Sequence, residues 1–123
     1  MIKYIDKLGI ANEFDWMKLF GWIIVVVQDA TTQAVLMVGV MNPEALEKTL
    51  LTGLVTFWSR TRNCLWTKGE TSGNYLKVRE IRVDCDKDTI LVMVDADGPT
   101  CHTGATTCFE EVDGTITSIQ LDE

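Results

Sequence analysis

The chain has 123 residues, of which 46% are hydrophobic and 24% charged, and a formal net charge of −7. That balance belongs to one ordinary globular domain, long enough to bury about two thirds of its unfolded surface. The acidic excess excludes the positive field that nucleic-acid polymers and anionic membrane surfaces require.

The N-terminus, MIKYIDKLGI, lacks the basic start, apolar stretch and small-residue cleavage site of a secretory leader. The longest apolar run, Trp22 to Val27, is too short to span a bilayer and ends in Gln28 and Asp29. A cytoplasmic location is the expectation, and with it cysteines that stay reduced. Residues 11–20 predict a short helix. GWIIVVVQD and TQAVLMVGVM are β-rich apolar runs separated by the polar DATT, the pattern of a hairpin. Asn42-Pro43-Glu44 opens a helix, with Asn as N-cap, Pro in the first turn and an acid at the positive end of the dipole. Gly53 closes it after Ala45, Leu46, Leu50 and Leu51 have supplied an apolar face. LVTFW predicts a strand, and residues 57–75, with many turn formers and no apolar period, a loop. Tyr75–Val83 roughly alternates and ILVMV is an apolar run, so each predicts a strand. Thr107–Val112 and Thr115–Ile119 predict a last hairpin around Asp113-Gly114. With strands not separated by helices, a parallel βαβ sheet is disfavoured. The expected fold is mainly β (α+β), a small antiparallel, sandwich-like sheet with one or two short helices, in a single domain over residues 1–123.

VDCDKD sets Asp84, Asp86 and Asp88 on alternate positions. In extended chain they share one face, with Cys85 on the other. Three convergent carboxylates repel one another unless a cation joins them, and their hard oxygens suit Mg²⁺ or Ca²⁺. An EF-hand is excluded, because Thr89 and Asp95 stand where glycine and glutamate are needed. A solvated acidic turn is the competing reading. Cys85, Cys101 and Cys108 are separated by 15 and 6 residues, unlike the paired spacing of a closed structural zinc site. Three thiolates leave one zinc position open to water, whose pKa the metal lowers towards neutrality. Nucleobase deaminases use such sites to attack ring carbons. His102 either closes the shell as a fourth ligand or stays outside as a general base, and its adjacency to Cys101 favours the second. Inert buried thiols, a packed histidine and a Cys101–Cys108 redox pair are the rival readings. Cys64, in RTRNCLW, is read as a free thiol.

Six of the eleven cations, namely Arg60, Arg62, Lys68, Lys77, Arg79 and Arg82, fall within residues 60–82. Local positive charge beside Ser59, Thr71, Ser72 and the backbone near Gly69 and Gly73 suits an oxyanion such as phosphate. Trp58 and Trp66 either stack on a base or pack in the core.

WSRTR, LWTKGETSGN, DCDKD, GPTCHTG and TCF, in this order, resemble the phosphoribosyl-AMP cyclohydrolase family. The resemblance runs from Val35 to Phe109 and includes MNPEAL. It implies a hydrolase of histidine biosynthesis that opens the adenine ring of N1-phosphoribosyl-AMP at the N1–C6 bond. It implies Zn²⁺ on Cys85, Cys101 and Cys108 and Mg²⁺ on Asp84, Asp86 and Asp88, one of each per subunit. It also implies an obligate homodimer, in which Cys85 of one chain meets Cys101 and Cys108 of the other. His102 would carry the proton. Trp58, Ser59, Arg60, Arg62, Trp66, Lys68, Gly69, Glu70, Thr71, Ser72 and Gly73 would bind the nucleotide. Some relatives carry a fused pyrophosphohydrolase domain; with the chain ending at Glu123, that second activity is expected to be absent. The alternative is a non-catalytic, zinc-stabilised nucleotide-binding module.

Overall fold

The computed structural model describes residues 13–109, 119 and 121, and in it the segments Ile23–Asp29 and Thr89–Ala96 lie side by side. The chain order is β1 (Ile23–Asp29), β2 (Val35–Met41), α1 (Pro43–Thr52), β3 (Thr56–Ser59), β4 (Cys64–Thr67), β5 (Leu76–Val83) and β6 (Thr89–Ala96). Four strands form one sheet in the order β2-β1-β6-β5, and β3 with β4 forms a separate hairpin. The expected β1–β2 hairpin is present, with Ile23 opposite Met41, and β5 pairs antiparallel with β6.

The central pair corrects the expectation of an antiparallel sheet. β1 and β6 run parallel, from Ile24 opposite Thr89 to Asp29 opposite Val94. A parallel pair needs a long crossover rather than a helix between neighbours in sequence. Here the whole stretch from β2 to β5 is that crossover, so the rule that disfavours βαβ units does not reach it. Ile23, Val25 and Val27 alternate with solvent-side neighbours, as do Ile90, Val92 and Val94, and all six are fully buried. Leu36, Met41, Leu46, Val55, Phe57 and Leu76 complete the core around that face.

Helix α1 forms where its caps place it. Asn42 Oδ1 accepts from the Ala45 N–H at 2.8 Å, and Gly53 ends the helix in the left-handed region at φ 76°. Its buried face is Ala45, Leu46, Thr49 and Leu50; Leu51, expected on that face, is 59% exposed. Thr49 enters the core because its hydroxyl is satisfied there. It accepts from the Thr56 N–H at 3.0 Å and lies 2.9 Å from the Ala45 carbonyl, binding α1 to β3.

Three further expectations change. The segment read as a loop contains β4, a strand of only four residues masked by the turn formers on either side. Residues 13–20 form turns instead of the predicted helix, and the chain leaves them through two left-handed residues, Phe20 and Gly21. Residues 11 and 12 lie outside the described residues. Of the last predicted hairpin, Thr107 to Phe109 form a bend and turn, and residues 110–118 lie outside the described residues. In β5 a register shift between Val78 and Glu80 resets the alternation, which lets Val78 and Ile81 both pack on the core. Among the described residues no helix is long and apolar enough to cross a membrane.

Candidate active site

The GPTCHTG string folds into a tight loop. The Thr100 N–H bonds the Thr106 carbonyl at 3.2 Å, the Cys101 N–H the Ala105 carbonyl at 3.1 Å, and the Gly104 N–H the Cys101 carbonyl at 3.0 Å. Just beyond, the Cys108 N–H bonds the Leu36 carbonyl at 2.8 Å and the Thr107 hydroxyl the Val35 carbonyl at 2.7 Å, tying the loop to β2. These bonds bring the Cys101 and Cys108 thiols within interacting distance of each other. Thr103 Oγ1 donates to Cys101 Sγ at 3.1 Å, and this bond, with the Thr103 N–H, pulls the Cys101 thiol below its ordinary range. Burial pushes Cys108 the other way, and the neighbouring Cys101 charge adds to it. Cys85 stands apart in an exposed turn. Among the described residues, no third histidine, cysteine or carboxylate of the same chain completes a three-ligand group with the thiol pair.

His102 and Cys101 line one wall of a cleft of about 360 Å³ whose opposite wall carries Arg62, Trp66, Lys68 and Glu70. Gly69, Thr71 and Ser72 also line it, whereas Gly73 does not reach its wall. Asn74 packs closely against both Gly69 and Gly98. A Cβ at Gly69 would fall 2.5 Å from the Asn74 backbone, and one at Gly98 would fall 2.5 Å from Asn74 Oδ1. At Gly69 the neighbour is backbone and the φ of 92° is left-handed, so only glycine fits there. Asn74, Pro99, Thr100 and Gly104 are lining residues that sequence reasoning did not single out, although each lies within a string that carried the family signal. Trp58, Ser59 and Arg60 line a second depression of about 320 Å³, which shares Arg62 and Trp66 with the first. The expected binding residues thus fall on both sides of one ridge.

The basic segment divides in the same way. On β5, Lys77, Arg79 and Arg82 are paired with Asp97, Asp95 and Glu80. Arg60, Arg62 and Lys68 make no ion pair with a described residue. Each lies over an indole instead: Arg60 at 5.7 Å from the Trp22 ring, Arg62 at 6.0 Å and Lys68 at 5.3 Å from Trp66.

Asp84, Asp86 and Asp88 do converge, each with an oxygen within 4.8 Å of the others. They do so on a turn, not on the extended strand expected: Lys87 sits at φ 64°, and Asp84 Oδ1 accepts from the N–H groups of Asp88 and Thr89, both at 3.1 Å. Partial desolvation and the two neighbouring carboxylates raise the Asp84 carboxyl. The bond to Asp84 lowers that of Asp88, and Lys18 adds to the effect. Clustered carboxylate oxygens are the donor set of a hard divalent cation, and adjacent thiols that of a soft one such as zinc.

Residues 37–110 match the family model described as phosphoribosyl-AMP cyclohydrolase. The chain belongs to the phosphoribosyl-AMP cyclohydrolase family. It is 57% identical over 109 residues to the histidine biosynthesis bifunctional protein HisIE of Buchnera aphidicola, covering 89% of this chain and 49% of that protein. Against the protein of the same description from Escherichia coli K12 the identity is 59% over 98 residues, or 80% of this chain and 48% of the relative. The chain spans about half the length of these curated relatives. The cyclohydrolase match covers α1, the β3–β4 hairpin, the acidic turn and the thiol loop, which are the parts that build both clefts and both candidate metal sites.

Proposed function

We propose that the chain is a phosphoribosyl-AMP cyclohydrolase of histidine biosynthesis, dependent on zinc and magnesium. It adds water to C6 of the adenine ring of N1-phosphoribosyl-AMP and breaks the N1–C6 bond. The observation that carries this reading is the cleft joining Cys101 and His102 to Arg62 and Lys68, cations without an ion pair among the described residues. A hydrolytic centre and a phosphate cradle that share one cleft fit a phosphorylated substrate attacked on its base.

The chain's own groups have distinct tasks. Arg62, Lys68 and Ser72 hold a phosphate, Arg60 and Ser59 receive negative charge in the second depression, and Trp66 offers a face for stacking. Glu70 accepts from a ribose hydroxyl. The fixed seat of Asn74 keeps the phosphate wall at a constant distance from the thiol loop, so that binding also orients the base. His102 takes a proton from the attacking water and delivers it to N1 as that nitrogen leaves. The water oxygen becomes the carboxamide oxygen on the imidazole, the exocyclic nitrogen takes the second water proton and becomes the carboxamide nitrogen, and N1 keeps its ribose and gains the first.

Cys101 and Cys108, with Cys85 of the partner subunit, would hold Zn²⁺. When bound, zinc supplies Lewis acidity that makes a water acidic near neutral pH. Asp84, Asp86 and Asp88 would hold Mg²⁺, which supplies charge for oxyanions. Two features support a homodimer that completes the zinc site: Cys85 is exposed and joins no three-ligand group with the thiol pair among the described residues, and Val35, Val38 and Phe109 leave apolar surface exposed around the end of that loop. A cytoplasmic setting, part of the same proposal, keeps the thiols reduced.

The test supplies N1-phosphoribosyl-AMP with Zn²⁺ and Mg²⁺ and follows ring opening in the ultraviolet. The expected result is a spectral change that His102→Ala slows by about 10²–10⁴-fold with zinc content unchanged. Metal-replete protein that binds the nucleotide without a spectral change would be the zinc-stabilised binding module instead. Loss of zinc in the variant would make His102 a ligand.

A further inference from the structure

We infer that Lys18 is a resident counter-ion of the acidic turn, which a divalent cation must displace in order to bind Asp84, Asp86 and Asp88. Lys18 Nζ lies 3.2 Å from Asp86 Oδ2 and 3.3 Å from Asp88 Oδ2, and it also bonds the Asp86 carbonyl at 3.4 Å. It reaches this turn from 68 positions away in the chain. An ammonium group bonded to one oxygen of each of two carboxylates sits in the cluster that would bind a metal ion. Cation and ammonium repel each other at such range, so the two states exclude one another.

The arrangement is built from both sides. The Asp15 N–H bonds the Lys87 carbonyl at 2.9 Å, and Lys87 Nζ reaches Glu13 Oε1 at 3.3 Å. The Trp16 carbonyl accepts from the Gly21 N–H at 2.6 Å and closes the turn that presents Lys18. Lys18 neutralises the carboxylates while no metal is bound, yet it does not build the turn. Asp84 Oδ1 is fixed by the Asp88 and Thr89 N–H groups without Lys18. Removing the ammonium therefore leaves the ligands in place and removes a competitor. Binding of the divalent cation releases the Lys18 side chain and loosens residues 15–21, so cation concentration controls how firmly this segment is docked.

The inference rests on the carboxylates being the divalent-cation site proposed above, and its test needs no nucleotide. Mg²⁺ is titrated calorimetrically into the intact chain, into Lys18→Met and into Lys18→Arg. Amide exchange of residues 15–21 is followed with and without Mg²⁺. Loss of two exposed ion pairs tightens Mg²⁺ binding to Lys18→Met roughly three- to thirty-fold. Lys18→Arg stays near the unsubstituted chain, because it keeps the charge. Mg²⁺ speeds exchange in the unsubstituted chain and leaves Lys18→Met unchanged. Equal or weaker binding to Lys18→Met overturns the displacement and leaves the cation site standing. No Mg²⁺ binding to any of the three proteins overturns the site and the displacement together, whatever the ring-opening assay shows.

Discussion

Thr103 gives the thiol pair its asymmetry. Its hydroxyl donates to Cys101 Sγ at 3.1 Å, so the Cys101 proton is the first to leave, while Cys108 is pushed up by burial and by the charge next to it. A lowered thiol pKa means thiolate at lower pH, and a raised one means thiolate only at higher pH. In metal-free protein, iodoacetamide should therefore label Cys101 at a lower pH than Cys108, as read by peptide mass spectrometry across a pH series. Thr103→Val should move the Cys101 labelling profile to higher pH and bring the two closer. At this scale the sequence was informative where chemistry is local: Cys101, His102 and Cys108 stand within eight residues of one another, and the turn that joins them leaves them together. It was silent about Lys18, whose partners Asp86 and Asp88 lie 68 and 70 positions away and whose neighbours form no recognisable pattern.

Among the elements, the bounds of α1 were legible, because Asn42, Pro43 and Gly53 each act on their own backbone neighbourhood, whereas its buried face took Thr49 in place of Leu51. β4 was not, since four residues cannot establish a period, and the parallel β1–β6 pair was not, since pairing direction depends on the path of the intervening chain. The joint between α1 and the β3–β4 hairpin matters for the site, because that hairpin carries Arg60 and Arg62. Thr49 makes this joint by accepting the Thr56 N–H, and Thr56 Oγ1 continues it to Thr67 Oγ1 at 2.9 Å. Thr49→Val conserves shape and leaves a buried N–H without its acceptor. Urea unfolding should show a loss of about 1–3 kcal/mol. A loss well below that would mean the hairpin is held by the packing of Phe57 and Trp66 alone.

For the whole molecule, the acidic total and the unpaired cations are two views of one arrangement. A net charge of −7 coexists with Arg60, Arg62 and Lys68 lining two neighbouring depressions, which is where the proposed nucleotide would meet attraction. Composition alone pointed away from polyanions; the clustering of cations within residues 60–82 pointed towards a small phosphate ester, and folding then divided that cluster into paired and free members. Cys85 marks the remaining gap. It is exposed on the acidic turn and forms no three-ligand group with Cys101 and Cys108 among the described residues; in the proposed dimer it is the ligand given to another copy. The decisive measurement mixes two variants, Cys85→Ser and Cys101→Ser, exchanges their subunits, and follows ring opening of N1-phosphoribosyl-AMP. Each variant alone should be inactive, while random exchange should restore about a quarter of the unsubstituted activity, because half of the dimers are mixed and each has one intact site. A mixture that stays inactive although native mass spectrometry shows mixed dimers, or a Cys85→Ser protein active on its own, would contradict the account.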